Sequence, residues 1–521
     1  MTITDQEVYD SLCNDMVGVN SFVIHRENIA GKTQIHKFVK RDSNIISYGL
    51  PHIIDKIICL DFNSFYGSCM NSEQHPLIPY TNHRMYMPGG VKYIIHDYEQ
   101  AKQFIFNKFR FSSDENIINK HVHLFIAKIK AHIPDEYINE FINFPVIWRN
   151  LKIITDKETI REFIYENMIR NNMQHIVEES KLMMLLLTHD QYMQFYNYYL
   201  WFLIDRCHLV IDDIKQVIVF AKHCAFNEFV KTNINQRCKA HIEGNKGEEL
   251  KNKLEANTTF GYDSINTEKY QDFRLCNKKN VWKHHMSNTF LTDKQISENC
   301  FIVELEKKRC QCSTPLQVAY FTMDNSKYFY LNAFYNFLTP CLDMNYIHVI
   351  YGNIDSLCLA IAHESWPVKD KQLWDKFYPH LFPASNDYND KKKILGWNIE
   401  SEATTCLALV PKCYYMENQR DITSGNSNNM NQNAIMKLNG VKQEQNSQIN
   451  KKQFQDNIDK NIITKVNNTS LIHKQEILSQ VIQERIGISG INTKTIVLRN
   501  QACAPYVNGV KADKYFIDES H

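Results

Sequence analysis

No apolar run in this sequence approaches the ~20 residues that a membrane-spanning helix needs. The first residues, MTITDQEVYDSLCNDMVGVN, carry acids where a secretory signal would carry basic residues and an apolar block, so neither export nor membrane insertion is expected. Charge of one sign is also lacking. Lys and Arg number 59 against 58 Asp and Glu, a net charge of +1, and no whole-protein field announces nucleic acid. A local basic group, Lys307, Lys308 and Arg309, remains a candidate for lining a groove. No internal repeat is visible. The fifteen cysteines are odd in number and irregularly spaced. Cys310-x-Cys312 has no second pair at zinc-finger spacing, which argues against a structural zinc site. Free thiols in a reducing intracellular compartment are the expected state.

What is present is an ordinary globular balance, 44% hydrophobic and 22% charged. At 521 residues the chain has room for roughly three to four domains. Residues 57–62, IICLDF, form a short β-branched run suited to a buried strand. From 176 to 240 no Gly or Pro occurs and apolar residues recur at three- and four-residue intervals, which predicts packed helices. Leu331, Phe334, Tyr335 and Leu338 predict another helix over 324–338, its aromatic stripe turned to the core. Residues 346–361 read as two strands joined by a tight turn near Gly352-Asn353. The Asn/Gln-rich stretch from about 417 to 460 is expected to be loop. Strands and helices mixed in this way predict an α+β architecture.

Three blocks can carry chemistry. Asp61-Phe62-Asn63-Ser64-Phe65-Tyr66-Gly67 follows the IICL strand, so a carboxylate ends a buried strand where it can be held at a cleft rim. In Lys253-Leu254-Glu255-Ala256-Asn257-Thr258-Thr259-Phe260-Gly261, Lys253 and Asn257 share a helix face with Phe260 nearby. A cation, an amide and a ring so placed can hold a triphosphate and stack on a base. In Tyr351-Gly352-Asn353-Ile354-Asp355-Ser356, Asp355 sits just past a turn and can face a second carboxylate across a sheet. Taken singly, each has an ordinary explanation: an acid ending a strand, an amphipathic helix capped by Gly261, an Asp at a turn.

In this order the blocks resemble motifs A, B and C of family B DNA polymerases, Dx2SLYP, Kx3NSxYG and YxDTDS. The flanking stretches 21–36, 235–262, 313–338, 391–416 and 498–519 resemble the protein-primed branch, most of all the polymerases of Polinton-type transposons, virophages and linear plasmids. That resemblance implies a right-hand polymerase fold with an antiparallel-sheet palm, helical fingers and a small thumb. It divides the chain into an N-terminal segment (1–55), a first part of the palm with an insertion (56–175), fingers (176–262), a second part of the palm (263–405), and palm edge with thumb (406–521).

The implied reaction is template-directed addition of dNTPs to a primer 3′-end, with two Mg²⁺ ions, or Mn²⁺ in their place. By the same resemblance Asp61 and Asp355 are the catalytic metal ligands, and the backbone carbonyl of Phe62 is a further ligand. Tyr66 closes the sugar pocket, while Arg237, Lys253, Asn257 and Phe260 bind the nucleotide. Lys412 and Tyr414 match the KxY motif that grips the primer. Primer-template DNA, dNTPs and a terminal protein are the implied partners, and no membrane is involved.

Four departures qualify the match. Asn353 stands where the family has the first Asp of its DTD triplet, and Thr258 and Gly67 replace the usual Ser and Pro. Only 60 residues precede Asp61, too few for a proofreading exonuclease. The alternative is therefore a catalytically degenerate polymerase-fold protein that binds DNA or a replication partner. A reverse transcriptase fits less well, because its palm requires adjacent aspartates at the hairpin.

Overall fold

The computed structural model describes residues 3–18, 20–173, 177–185, 191–265, 272–306, 314–383, 396–418, 434–441, 449–474 and 477–518, except the side chains of 184, 185, 256, 257, 471–474, 477 and 478. The basic run at 307–309 and Cys310-x-Cys312 lie outside them. Among the described residues no helix is long and apolar enough to cross a membrane.

At the centre is an eight-stranded antiparallel sheet. Its strands in chain order are β1 (Ser21–Val23), β2 (Glu27–Ile29), β3 (Lys56–Phe62), β4 (Ile347–Asn353), β5 (Ser356–Ile361), β6 (Trp397–Val410), β7 (Cys413–Asn418) and β8 (Ala434–Lys437). In space they run β1-β4-β5-β3-β6-β7-β8, with β2 beside β6. The apolar run in β3 follows from burial on both faces. Ile58, Leu60 and Phe62 enter one core cluster, and Ile57 and Cys59 enter another, as a two-residue side-chain period requires. β5 repeats the division, with Leu357, Leu359 and Ile361 on one side and Cys358 and Ala360 on the other. At roughly 1.5–3 kcal/mol for each fully buried aliphatic side chain, these two strands form a stiff foundation for whatever stands at their ends.

Four helices matter to the site: α1 (Phe65–Met70), α2 (Phe226–Ile242), α3 (Lys246–Asp263) and α4 (Leu316–Ala333). The predicted helix over 324–338 is present but starts earlier, as α4, and ends in a π-helical turn at Phe334–Leu338. Nearly all of α4 is buried, and its one buried ion pair closes inside the helix. Lys327 pairs with Asp324 at 2.9 Å, and Asp324 also accepts the Tyr196 backbone N–H at 3.2 Å. Beside α4 lies a second antiparallel sheet, ordered Met193–Tyr196, Leu124–His132, Val210–His223, Met87–Ile95.

That sheet corrects the helical reading of 176–240. Met193–Tyr196 and Val210–His223 are strands of it, Glu178–Leu185 is a strand paired with Ile147–Ile154, and among the described residues there only Asn197–Cys207 and α2 are helical. The reason lies in the 14-residue strand Val210–His223, whose register shifts between Ile211 and Asp213 and again between Ile214 and Gln216. Each shift adds a residue to the two-residue alternation, and the resulting three-residue spacings imitate a helix.

Three further expectations are corrected. Lys451–Lys460 is a helix rather than loop. Asn450 and Gln453 form a capping box at its start, and Phe454, Asn457 and Ile458 are buried at i, i+3, i+4. α3 does not stop at Gly261 but runs to Asp263. Not every thiol is free: Cys59 and Cys358, directly opposite across β3 and β5, form a disulfide.

Candidate active site

Asp61 is the penultimate residue of β3, opposite Ser356 of β5 on one side and Asn398 of β6 on the other. The Phe62 N–H donates to the Asp355 carbonyl at 2.8 Å. Two acids far apart in sequence are thus joined by one backbone hydrogen bond, at the same end of the sheet. Phe62 itself is buried against Phe65, Phe329 and Trp397, so this strand end is anchored by rings.

The hairpin carrying Asp355 turns two residues later than expected, at Ile354-Asp355. Ile354 has φ +61°, a left-handed conformation costly for a β-branched residue. Several bonds enforce it. The Ile354 N–H donates to the Asn20 carbonyl and the Asp355 N–H to the Asn353 carbonyl, both at 2.7 Å. The Ser356 hydroxyl also donates to the Asn353 carbonyl, at 3.0 Å, and the Tyr330 hydroxyl to the Ser356 carbonyl, at 3.0 Å. At Gly352 a Cβ would lie 2.6 Å from both the Phe22 ring and the Tyr330 hydroxyl, so no side chain fits.

Electrostatics mark the same place. Burial pushes Asp355 up to about 7, and the charge of Asp61 adds to the shift while Lys253 opposes it. Asp61 is also raised by burial, against the pull of Lys253 and Arg237. Two carboxylates raised by desolvation, one of them raised further by the charge of the other, form a site that gains from a cation. Asn353 contributes a buried Oδ1 with no hydrogen-bond partner, a neutral donor oxygen at the same hairpin.

Residues expected to bind nucleotide gather nearby. Tyr66, in the first turn of α1, packs its ring 4.3 Å from that of Phe260 on α3. Burial and Asp355 raise the Tyr66 phenol. Arg237, on α2, donates from Nη1 to the Ser64 hydroxyl at 2.6 Å, and Ser64 adopts φ +49° at the turn into α1. Lys253 is exposed on α3, yet its charge reaches both aspartates. Asn257 also falls on α3, its side chain outside the described residues. Tyr414, on β7, stacks on Tyr351 with ring centroids 4.9 Å apart, and burial pushes its phenol up to about 12. Lys412 occupies the turn between β6 and β7 at φ +63°, where its charge acts on Lys494.

Glu400 was not anticipated. It is the extra residue where β6 slips register between Ile399 and Ser401, a bulge that re-aims a side chain. Its charge raises Asp355, and Glu400 is raised in turn by desolvation first and Asp61 second. Nothing in the local apolar pattern signals that bulge.

Among the described residues no group of three or more His, Cys, Asp or Glu converges closely enough to hold a metal alone. The donor set still suits Mg²⁺, which binds through one or two carboxylates and completes its shell with water and substrate phosphates.

No family model matches the sequence, and neither does any curated protein. Among solved structures the chain is similar to phi29 DNA polymerase complexed with primer-template DNA and incoming nucleotide substrates, at 13% identity and a TM-score of 0.47, over 94% of this chain and 64% of that one. It is similar as well to the phi29 polymerase binary complex with primer-template DNA, at 12% identity and a TM-score of 0.48, over 93% of this chain and 63% of that one. The chain therefore spans less than two thirds of the length of these neighbours. The functional reading rests on the residues of the site.

Proposed function

We propose that the chain is a DNA-directed DNA polymerase core, extending a protein or nucleic-acid primer by nucleotidyl transfer. The observation that carries the reading is the hydrogen bond from Phe62 to Asp355, which accompanies two half-buried carboxylates at one sheet end, each raised by desolvation. In this reading the central sheet is the palm, α2 and α3 are the fingers, and the region around Lys451–Lys460 belongs to the thumb.

Nucleotidyl transfer places negative charge on phosphate oxygens, so the protein's task is positioning and electrostatic stabilisation. Asp61, Asp355 and the Phe62 carbonyl would hold Mg²⁺, which supplies activation of the primer 3′-oxygen and support for departing pyrophosphate. Lys253 and Arg237 present cations to the triphosphate, matching the charges that already act on Asp61. Tyr66 and Phe260 form an aromatic wall that confines the sugar and stacks near the base. Lys412 and Tyr414 contact the primer strand, with Tyr414 tied to the catalytic hairpin through Tyr351.

The test is single-nucleotide extension of a primed DNA template. Wild type extends the primer in Mg²⁺ or Mn²⁺, and Asp61→Asn and Asp355→Asn each lose extension. Asn353 favours one competing reading, a polymerase fold that binds DNA without synthesis, because a neutral amide stands where a third acid belongs in the related motif. Gel-shift binding of primer-template by a wild type that incorporates nothing selects that reading. Asn353→Asp then separates loss of metal affinity from loss of the site, since restored extension means the site was otherwise intact.

A further inference from the structure

The guanidinium of Arg237 sits between two different demands. Nη1 is fixed by the Ser64 hydroxyl at 2.6 Å, three residues beyond Asp61, and Nε is buried without a partner. Nη2 faces Glu249 Oε1 at 3.6 Å. That separation is well beyond the 2.7–2.9 Å of a tight charge-assisted bond. Glu249 in turn divides its carboxylate, with Oε2 lying 3.3 Å from His241 Nδ1. The Arg237 side chain is only 12% exposed, whereas Glu249 is 27% exposed. A largely buried cation, whose charge acts on Asp61 and which is incompletely satisfied, is held by a carboxylate that can leave toward solvent.

We propose that Glu249 is a positioning residue that stands in for a nucleoside triphosphate, neutralising Arg237 in the empty site and surrendering it to a phosphate oxyanion on substrate binding. This rests on the polymerase reading and extends it. Arg forms two parallel bonds to phosphate where it now makes one long contact to carboxylate, so the exchange improves both geometry and satisfaction. The topology suits such an exchange. Arg237 is on α2 and Glu249 in the first turn of α3, joined by a short turn through Gly244 at φ +69°. Release of Glu249 uncouples the two helices at this point, and the Ser64 bond keeps Arg237 on the palm side. The competing role for Glu249 is structural: an acid in the first turn of α3 favours the helix macrodipole. That role predicts lower thermal stability on substitution and no gain in nucleotide affinity.

The experiment measures dGTP binding to the full chain by isothermal titration, with Mn²⁺ and a dideoxy-terminated primer-template whose next template base is C. If Glu249 occupies Arg237 about two thirds of the time, Glu249→Gln tightens binding about threefold. Glu249→Ala does the same should the amide perturb folding, and in single-nucleotide extension the gain appears in KM. Adding Glu249→Gln to Arg237→Ala brings no further gain, because the competed group is gone. Equal or weaker dGTP binding by both Glu249 variants, with wild type binding normally, overturns the proposal and leaves the polymerase reading standing. Wild type that neither binds dGTP nor extends a primer removes both.

Discussion

The floor of the site and its facing wall are built on opposite principles. The floor, β3 with the β4–β5 hairpin, is buried on both faces and braced by a strained turn that at least four hydrogen bonds hold in place. The wall, α2 and α3, leaves Ile242, Leu250, Leu254 and Tyr262 half or more exposed and meets the floor through few groups. These are chiefly the Tyr66–Phe260 ring contact, the Arg237–Ser64 bond and a small buried cluster in which Val230 and Ile234 of α2 pack with Met70 of α1. Metal-ligating carboxylates need fixed geometry, whereas a nucleotide-gripping surface must admit and release its ligand. The contrast assigns rigidity to one and compliance to the other.

The largest effect that tests this contrast is on chemistry. Asp355→Asn lowers nucleotide incorporation by about a hundred- to a thousandfold, the scale for losing preorganised charge stabilisation, while Phe260→Ala on the compliant wall acts mainly on dNTP KM. A steady-state comparison of the two checks the division. Next comes Gly352→Ala, which forces a Cβ within 2.6 Å of Phe22 and Tyr330. Overpacking of this kind costs about 1–3 kcal/mol, read as a lower urea midpoint.

A pH effect follows. In the metal-free protein Asp355 titrates at about 7 against an ordinary 3.8, so between those values the folded state binds the proton more tightly than the unfolded state does. Its contribution to stability is complete below about 4 and is lost as pH rises through 7. Melting in EDTA therefore shows a decline over that window that Asp355→Asn reduces. Added Mg²⁺ or Mn²⁺ stabilises more at pH 8 than at pH 6, because it no longer competes with the proton. The smallest effect is on the wall. Asn245 caps α3 by accepting the Glu248 N–H at 3.1 Å, and Asn245→Ala costs about 1 kcal/mol locally. It speeds hydrogen exchange in 246–263 with little change in global melting.

The same contrast explains what could be read from the sequence. The floor is local: IICLDF and the 346–361 hairpin carry their own periodicity and turn, so β3, β4, β5 and both aspartates were legible. Tyr66, Lys253 and Phe260 were singled out by the resemblance of their blocks to the polymerase motifs, and the fold brings the Tyr66 and Phe260 rings together. The strand Val210–His223 was not, because its pairing with Leu124–His132 lies about 80 residues away and its bulges erase the two-residue signal. Glu400 was hidden for a related reason, as a bulge in β6 exists only relative to its partner β3. The Arg237–Glu249 pair depends on how two helices fold back on each other, which a short polar turn does not encode.

Joint possession of a divalent cation by the two aspartates is the central claim, and Mn²⁺ paramagnetic resonance tests it most directly. Full-length protein is titrated with Mn²⁺ in the presence of dGTP and a dideoxy-terminated primer-template, comparing wild type with Asp61→Asn and Asp355→Asn. The account predicts that protein-bound Mn²⁺ in wild type falls markedly in each single variant. Retention of wild-type Mn²⁺ binding by both variants would contradict it.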